Sequence, residues 1–217
     1  MIKTAVITGG HHFSVIAFQH LFRQMAGIDA YVQHMADFVT SSSEARAEYN
    51  VLVFYTHLKH ELVDMGPPPG QNDTVQSVVE ALGKTPQGIV MLHHSLLAFP
   101  TWQAWDQIVG ITNRQLTHYA HHEAIPLNIV DPQHPIMDGL KDWTITDETY
   151  RMPDAIQGDN HILMTTTHPK SVKTIAWTRQ YKASRVFCLQ LGDNAVAWED
   201  ANFAQLLRQG IQWSSGD

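Results

Sequence analysis

From Ile2 to His93 the chain alternates short apolar runs with stretches of helical periodicity, an order that few folds accommodate. The runs at 3–8, 29–33, 50–55 and 88–93 read as strands. Between the first two, a helix near 13–26 repeats Val15, Phe18, Leu21, Phe22 and Met25 at helical spacing. A turn at Ser41–Ser43 can cap a brief helix. A second long helix, capped by Asn72 or Asp73, runs to about Leu82 with Val75, Val78, Val79 and Leu82 on one face. Residues 57–69 between strand and helix read as a loop closed by Gly66-Pro67-Pro68-Pro69-Gly70. Strands alternating with helices imply a parallel sheet with right-handed crossovers, and mostly apolar strands imply helices on both faces. The expectation is an α/β fold, flavodoxin-like and doubly wound, with a mainly parallel sheet.

The second half is richer in β-structure. Strand-like runs at about 115–119, 125–130, 143–147, 161–166, 173–178 and 185–191 have few helices between them, and one last helix lies near 200–213. Some of these runs should form an antiparallel extension or cover a site. At 217 residues, one domain spanning 1–217 is the first expectation.

Composition removes several classes of function. A formal charge of −7 with 14 Lys and Arg argues against a nucleic-acid surface. No apolar run is long enough to span a membrane, and the N-terminus lacks the features of a secretory signal, so a cytoplasmic protein is expected. The single cysteine, Cys188, excludes an intramolecular disulfide and any Cys-based zinc cluster, and its apolar surroundings read as a buried strand.

What remains conspicuous is histidine, with 14 residues, several of them just beyond strand ends. His11 and His12 follow the first strand, His57 and His60 the third, and His93 and His94 the fourth. In an open parallel sheet, ligands bind in the crevice beyond the carboxyl ends of the strands. Gly9-Gly10-His11-His12 precedes a helix, where glycines let backbone N–H groups approach an anion; it reads equally as a plain tight turn, with His12 a candidate lining residue. His57 and His60, at i, i+3, can face one way on a helical turn, as a metal pair requires; solvent-exposed imidazoles are the alternative. His60-Glu61-Leu62-Val63-Asp64 starts like a zinc-protease helix, but Asp64 stands where the second His belongs.

His93-His94-Ser95 occupies the sharp turn where related α/β architectures hold a nucleophile. Ser95 lacks the flanking glycines of a hydrolase elbow, so His93 is favoured as metal ligand or general acid/base. In Asp147-Glu148-Thr149-Tyr150 only one of the adjacent carboxylates can enter a given site, and Glu148 shares a strand face with Tyr150. Asp193, after the last strand, can reach the same crevice. Prolines flanking His134 suggest a rigid corner. His118, His121 and His122 receive no role from sequence.

Taken in order, these segments resemble the ThuA-like family, named for trehalose utilisation, within the class I glutamine amidotransferase-like superfamily. The resemblance rests on Leu92-His93-His94-Ser95, Phe99-Pro100-x-Trp102 with Trp105 and Gly110, Asp131-x-x-His134-Pro135-Ile136 and Asp147-Glu148-x-Tyr150. It continues through Trp177-Thr178-Arg179-x-Tyr181, Arg185-Val186-Phe187, Leu191-Gly192 and Gly210-Ile211-x-Trp213. It implies a flavodoxin-like sheet whose amidotransferase cysteine is lost from the elbow, and a link to carbohydrate catabolism. Members usually carry Gly-His where this chain has Gly192-Asp193, so an anionic ligand replaces an imidazole.

Residues and resemblance together give an expected enzyme, a hydrolase or isomerase without glutaminase activity, acting on a sugar or oxidised glycoside. Its cofactor would be a divalent metal such as zinc, held by His57, His60, His93 and Asp193. His93 and Glu148 would be catalytic, and His12, Trp102 and Tyr150 would bind the small-molecule carbohydrate, the two aromatics by offering a flat face. The rival reading is a non-catalytic sugar-binding or regulatory module that kept the crevice. Neither a nucleic acid nor a membrane is expected as partner; a homo-oligomer is compatible with the sequence.

Overall fold

The structure, a computed structural model, describes residues 1–60, 73–156 and 158–216. The first half contains β1 (Ile2–Gly9), α1 (Val15–Arg23), β2 (Ile28–His34), α2 (Met35–Thr40), α3 (Ser43–Ala47), β3 (Val51–Thr56), α4 (Val75–Ala81) and β4 (Gly88–Leu92). After a 3-10 turn at His93–Leu97 come α5 (Gln103–Val109), β5 (His118–Ile129), β6 (Trp143–Arg151) and β7 (His161–Thr166). The chain continues through β8 (Thr174–Tyr181), β9 (Ser184–Leu189), α6 (Ala195–Trp198) and α7 (Ala201–Ser215). The loop turn at Gly66–Gly70, the Asn72 cap and the Glu61–Asp64 segment of the rejected zinc-protease pattern lie outside the described residues. Thr74 caps α4, its Oγ1 accepting from the Ser77 N–H at 3.1 Å.

Among the described residues, nine strands form one sheet in the order β2-β1-β3-β4-β9-β8-β7-β5-β6. Strand alternation explains its two-sided core. Val6, Val53, Tyr55, Val90 and Leu92 point to the side covered by α1 and α7, with Phe18 and Phe203. Ala5, Ile7, Leu52, Phe54 and Met91 point to the side covered by α2, α4 and α5, with Phe38, Val79 and Trp105. Among the described residues no helix is long and apolar enough to cross a membrane.

The expectation of a mainly parallel sheet needs correction, because the sheet is mixed. The pairs β1–β2, β1–β3, β3–β4 and β4–β9 are parallel, whereas β5–β6, β5–β7, β7–β8 and β8–β9 are antiparallel. The reason is connection length. Parallel neighbours need a crossover of a dozen or more residues, whereas β8 returns into β9 through a hairpin tip and must pair antiparallel.

The runs read as two strands at 115–119 and 125–130 are one 12-residue strand, β5. Its last residues, Leu127–Ile129, pair with β7, while His118–Ala120 and Glu123–Leu127 pair with β6. The β5–β6 hairpin therefore extends as an arm beyond the β7 pairing. Its register shifts between Ala120 and Glu123, and His122 adopts φ 55° within that bulge.

Candidate active site

His93 is the first residue beyond β4 and has φ 53°, a left-handed conformation that a non-glycine residue adopts at a cost of about 1–3 kcal/mol. Strand-end placement and strain match the sharp turn expected there. The ring is fully buried, and its Nδ1–H donates to the Gln190 carbonyl at 2.7 Å. A carbonyl can only accept, so Nδ1 carries the proton and Nε2 faces the site. Three groups converge on Nε2: the Tyr150 hydroxyl at 2.7 Å, Glu148 Oε2 at 3.1 Å and Asp193 Oδ1 at 3.5 Å.

The hairpin arm brings Glu148 and Tyr150 across. Both lie on one face of β6, as the alternation predicts, while Asp147 points the other way and anchors the arm. Its carboxylate accepts the N–H groups of Gly192 at 2.6 Å, Glu148 at 2.8 Å and Asp193 at 3.1 Å. Gly192 makes that turn possible: its φ is 112°, and a Cβ there would stand 2.9 Å from Phe203. Gln190 ties the two elements again, donating from Nε2 to the Glu148 carbonyl at 2.8 Å. Asp193 is fixed by Asn194, which donates to its Oδ2 at 2.7 Å, and by Tyr55, whose hydroxyl donates to its carbonyl at 2.8 Å.

Burial and charge oppose one another in this cluster. Burial disfavours the His93 imidazolium, but hydrogen bonds to Asp193 and Glu148 and the charge of Asp147 outweigh it and raise the pKa to about 10. Asp193 is likewise penalised by burial, yet His93 and Asn194 hold it down to about 2. Burial pushes the Asp147 carboxyl up, against the three N–H groups and His93. Burial, reinforced by Glu148, drives the Tyr150 phenol well above its ordinary value.

Sequence gave no role to His121, which the structure brings to the site. Its Nδ1 lies 3.0 Å from Glu148 Oε1 and 3.7 Å from Asp193 Oδ2, while the ring remains 53% exposed. The bulge turns it inward, and a bulge leaves no mark in composition. Only its proximity to a second strand bearing Glu148 could have suggested it.

The other expected residues separate. His57 is half-buried with its ring centroid 5.5 Å from His94, but residues 57–59 are not helical and His60 is exposed. The expected i, i+3 pair on a helical turn does not form. Among the described residues, His93, Glu148 and Asp193 form a His/acid group that could share one ion, their ligand atoms all lying within 4.8 Å of one another as the side chains stand. Neither His57 nor His60 is in it. His12 is exposed beside a hollow of about 300 Å³ lined by Gly9, Gly10, His11 and His34.

Trp102 stacks on Phe99 at 4.1 Å and lines a hollow with Tyr181 and Lys182. Those two flank the β8–β9 hairpin tip, at the amino edge of the parallel strands and away from His93. Tyr150 offers no flat face to a sugar, since it is 3% exposed and its hydroxyl is engaged with His93. Ser95 is buried, donating to the Phe54 carbonyl at 2.6 Å and accepting the Thr56 N–H at 2.7 Å, which ties the elbow to β3. His134 caps a 3-10 turn through Nδ1, the rigid corner expected from its prolines.

These residues can hold a cation, transfer a proton, or do both. The Nδ1–H bond to Gln190 fixes the tautomer and turns Nε2 toward two carboxylates, the outer-shell arrangement typical of ligating histidines. The same carboxylates that raise the basicity of Nε2 would balance a divalent charge placed there.

Fold and site define an α/β protein with a mixed sheet and a buried imidazole at the turn after β4. The chain belongs to the ThuA family, described as trehalose utilisation, which it matches over residues 4–214. A protein from Parabacteroides merdae described as ThuA-like has the same fold, with 19% identity, TM-score 0.69 and coverage of 99% of this chain and 90% of that one. A cytoplasmic protein from Salmonella typhimurium aligns at 12% identity, TM-score 0.65, covering 98% and 99% of the two chains. A protein from Thermoplasma acidophilum described as a GMP synthase subunit aligns at 11% identity, TM-score 0.62, covering 100% and 95%. No curated protein matched the chain.

Proposed function

We propose that this ThuA-family chain is a carbohydrate-processing enzyme, a hydrolase or isomerase acting on a sugar or oxidised glycoside. In this reading His93, Glu148 and Asp193 hold a divalent cation, and Glu148 moves the proton. The observation that carries it is the convergence of one imidazole and two carboxylates, all buried, on a space of 4.8 Å. Taking carboxylates out of water costs several kcal/mol each unless a positive charge answers them. A bound cation would supply Lewis acidity toward a substrate carbonyl or water.

The chain's own residues have separable tasks. His93 presents Nε2 because Gln190 holds Nδ1–H. Asp147 keeps the arm docked on the Gly192–Asp193 turn, which sets the spacing of Glu148 from Asp193. Glu148 Oε1 faces the solvent side through His121, so a proton it accepts has a route out. His12, exposed after β1, would meet a substrate hydroxyl in this reading. Glutaminase chemistry has no part in this reading: the elbow residue is His93, and the Cys188 thiol is buried in β9 with burial pushing its pKa up.

The test is solvent exchange on a panel of glycosides and their keto derivatives in D2O, followed by NMR with untagged protein. The expected result is deuterium incorporation or product formation that disappears in Glu148→Gln and after chelation. A panel left unchanged by the untreated protein, with Mn²⁺ and Zn²⁺ leaving the melting temperature unmoved, would favour the non-catalytic binding module instead.

A further inference from the structure

Beside the acidic group stand three more imidazoles, each from the carboxyl end of a different parallel strand: His11 after β1, His57 after β3 and His94 after β4. Their ring centroids are 4.5 Å (His11–His94), 5.5 Å (His57–His94) and 6.2 Å (His11–His57) apart. His94 is 1% exposed, and among the described residues neither of its ring nitrogens has a hydrogen-bond partner. The Tyr55 backbone bears on the ring without reaching hydrogen-bond geometry. An unmet buried donor or acceptor costs about 1–3 kcal/mol, so an imidazole kept there asks for a ligand.

We propose that His11, His57 and His94 form a second site, a three-imidazole pocket for a borderline transition-metal ion such as Ni²⁺ or Zn²⁺. With metal–nitrogen bonds of about 2.0–2.1 Å, rings sharing one ion have centroids roughly 4.5–5.2 Å apart. The His11–His94 spacing falls there; His57, 5.5 and 6.2 Å from the other two rings, stands outside it, so completing the site requires the half-buried His57 ring to move toward them.

The backbone around them is built for this proximity. The His57 N–H donates to the Gly9 carbonyl at 2.7 Å, joining the two turns. Gly10, at φ 73°, has no room for a side chain: a Cβ would lie 2.7 Å from the His57 carbonyl carbon. Imidazole-only donors favour Ni²⁺, Zn²⁺ or Cu²⁺, whereas carboxylate-rich donors also suit Mn²⁺, so the two sites differ in preference. The inference stands apart from the proposed function, since it uses none of His93, Glu148 or Asp193.

The experiment is calorimetric titration of untagged, chelator-stripped protein with Ni²⁺, in the wild type and in His11→Ala, His57→Ala, His94→Phe and Asp193→Asn. The account expects a Ni²⁺ equivalent, additional to any held by the acidic group, whose affinity falls at least about tenfold in each histidine variant and persists in Asp193→Asn. His94→Phe should also fold with undiminished stability, because an apolar ring replaces an unsatisfied one. Absence of Ni²⁺ binding, or binding unchanged in His11→Ala and His57→Ala, would overturn the second site. So would marked destabilisation by His94→Phe, which would assign the ring a structural hydrogen bond to water. Loss of binding in Asp193→Asn alone would overturn it while leaving the acidic site intact.

Discussion

The parallel half of the sheet supplies histidines from strand ends held by neighbours on both sides, while the antiparallel half supplies Glu148 and Tyr150 from its outermost strand, β6. His93 takes its position from β4, which lies between β3 and β9, and from the bond to Gln190. Glu148 reaches the same point from four strands beyond β9, because the β5–β6 arm overhangs the carboxyl edge and Asp147 docks it. One side of the site is thus rigid by sheet pairing. The other is held by the N–H groups that Gly192 and Asp193 give to Asp147 and by the Gln190 amide on the Glu148 carbonyl.

Removing the ring on the rigid side should have the largest effect. His93→Ala is expected to abolish turnover of any identified substrate and the Mn²⁺-induced rise in melting temperature, with circular dichroism unchanged. Retained activity would take His93 out of the mechanism. Next comes the clamp. Asp147→Ala leaves three N–H groups without their acceptor and should cost about 3–5 kcal/mol in denaturant unfolding. It should also weaken cation binding, although Asp147 touches no bound ion. A loss below about 1 kcal/mol would mean that the arm is held by other contacts.

The charge cluster gives a pH dependence whose sign follows from its shifts. His93, raised to about 10 from 6.5, contributes stability that is complete below about pH 6.5 and lost as pH rises through 10. Asp193, lowered to about 2 from 3.8, contributes stability present above about pH 3.8 and lost as pH falls through 2. The stripped protein should therefore lose stability on the alkaline side, and His93→Ala should flatten that limb in melting scans. Tyr150→Phe removes one hydrogen bond to Nε2 and should cost about 1 kcal/mol while sparing cation binding. Trp102→Ala should lower stability through its Phe99 contact and leave cation affinity unchanged; a change in affinity would contradict its absence from the cation-holding group.

The same two halves divide what the sequence discloses. Strands β3 and β4 are almost wholly apolar, β1 carries Ala5-Val6-Ile7 at its centre, and α1 and α7 have their apolar faces at helical spacing, so these elements are plain in the residues. His93 is legible because it directly follows such a run. Glu148 and Tyr150 were paired by alternation alone. The arm is harder, since the first half of β5, His118–Glu123, is mostly exposed on both faces and has no apolar period to read. The bulge that aims His121 inward is a matter of register, and register is set by a partner strand rather than by local composition. Trp102 is ambiguous in sequence for a related reason, because an aromatic two residues after a proline looks the same whether it faces a ligand or stacks on Phe99.

The central claim is that the elbow histidine and the hairpin-arm carboxylate act as one site. Calorimetric titration of untagged, stripped protein with Mn²⁺ tests it most directly, comparing the wild type with Glu148→Gln. The account predicts binding of one equivalent by the wild type and at least about tenfold weaker binding by the variant. Equal affinities in the two proteins, or a wild type that binds no Mn²⁺, would contradict it.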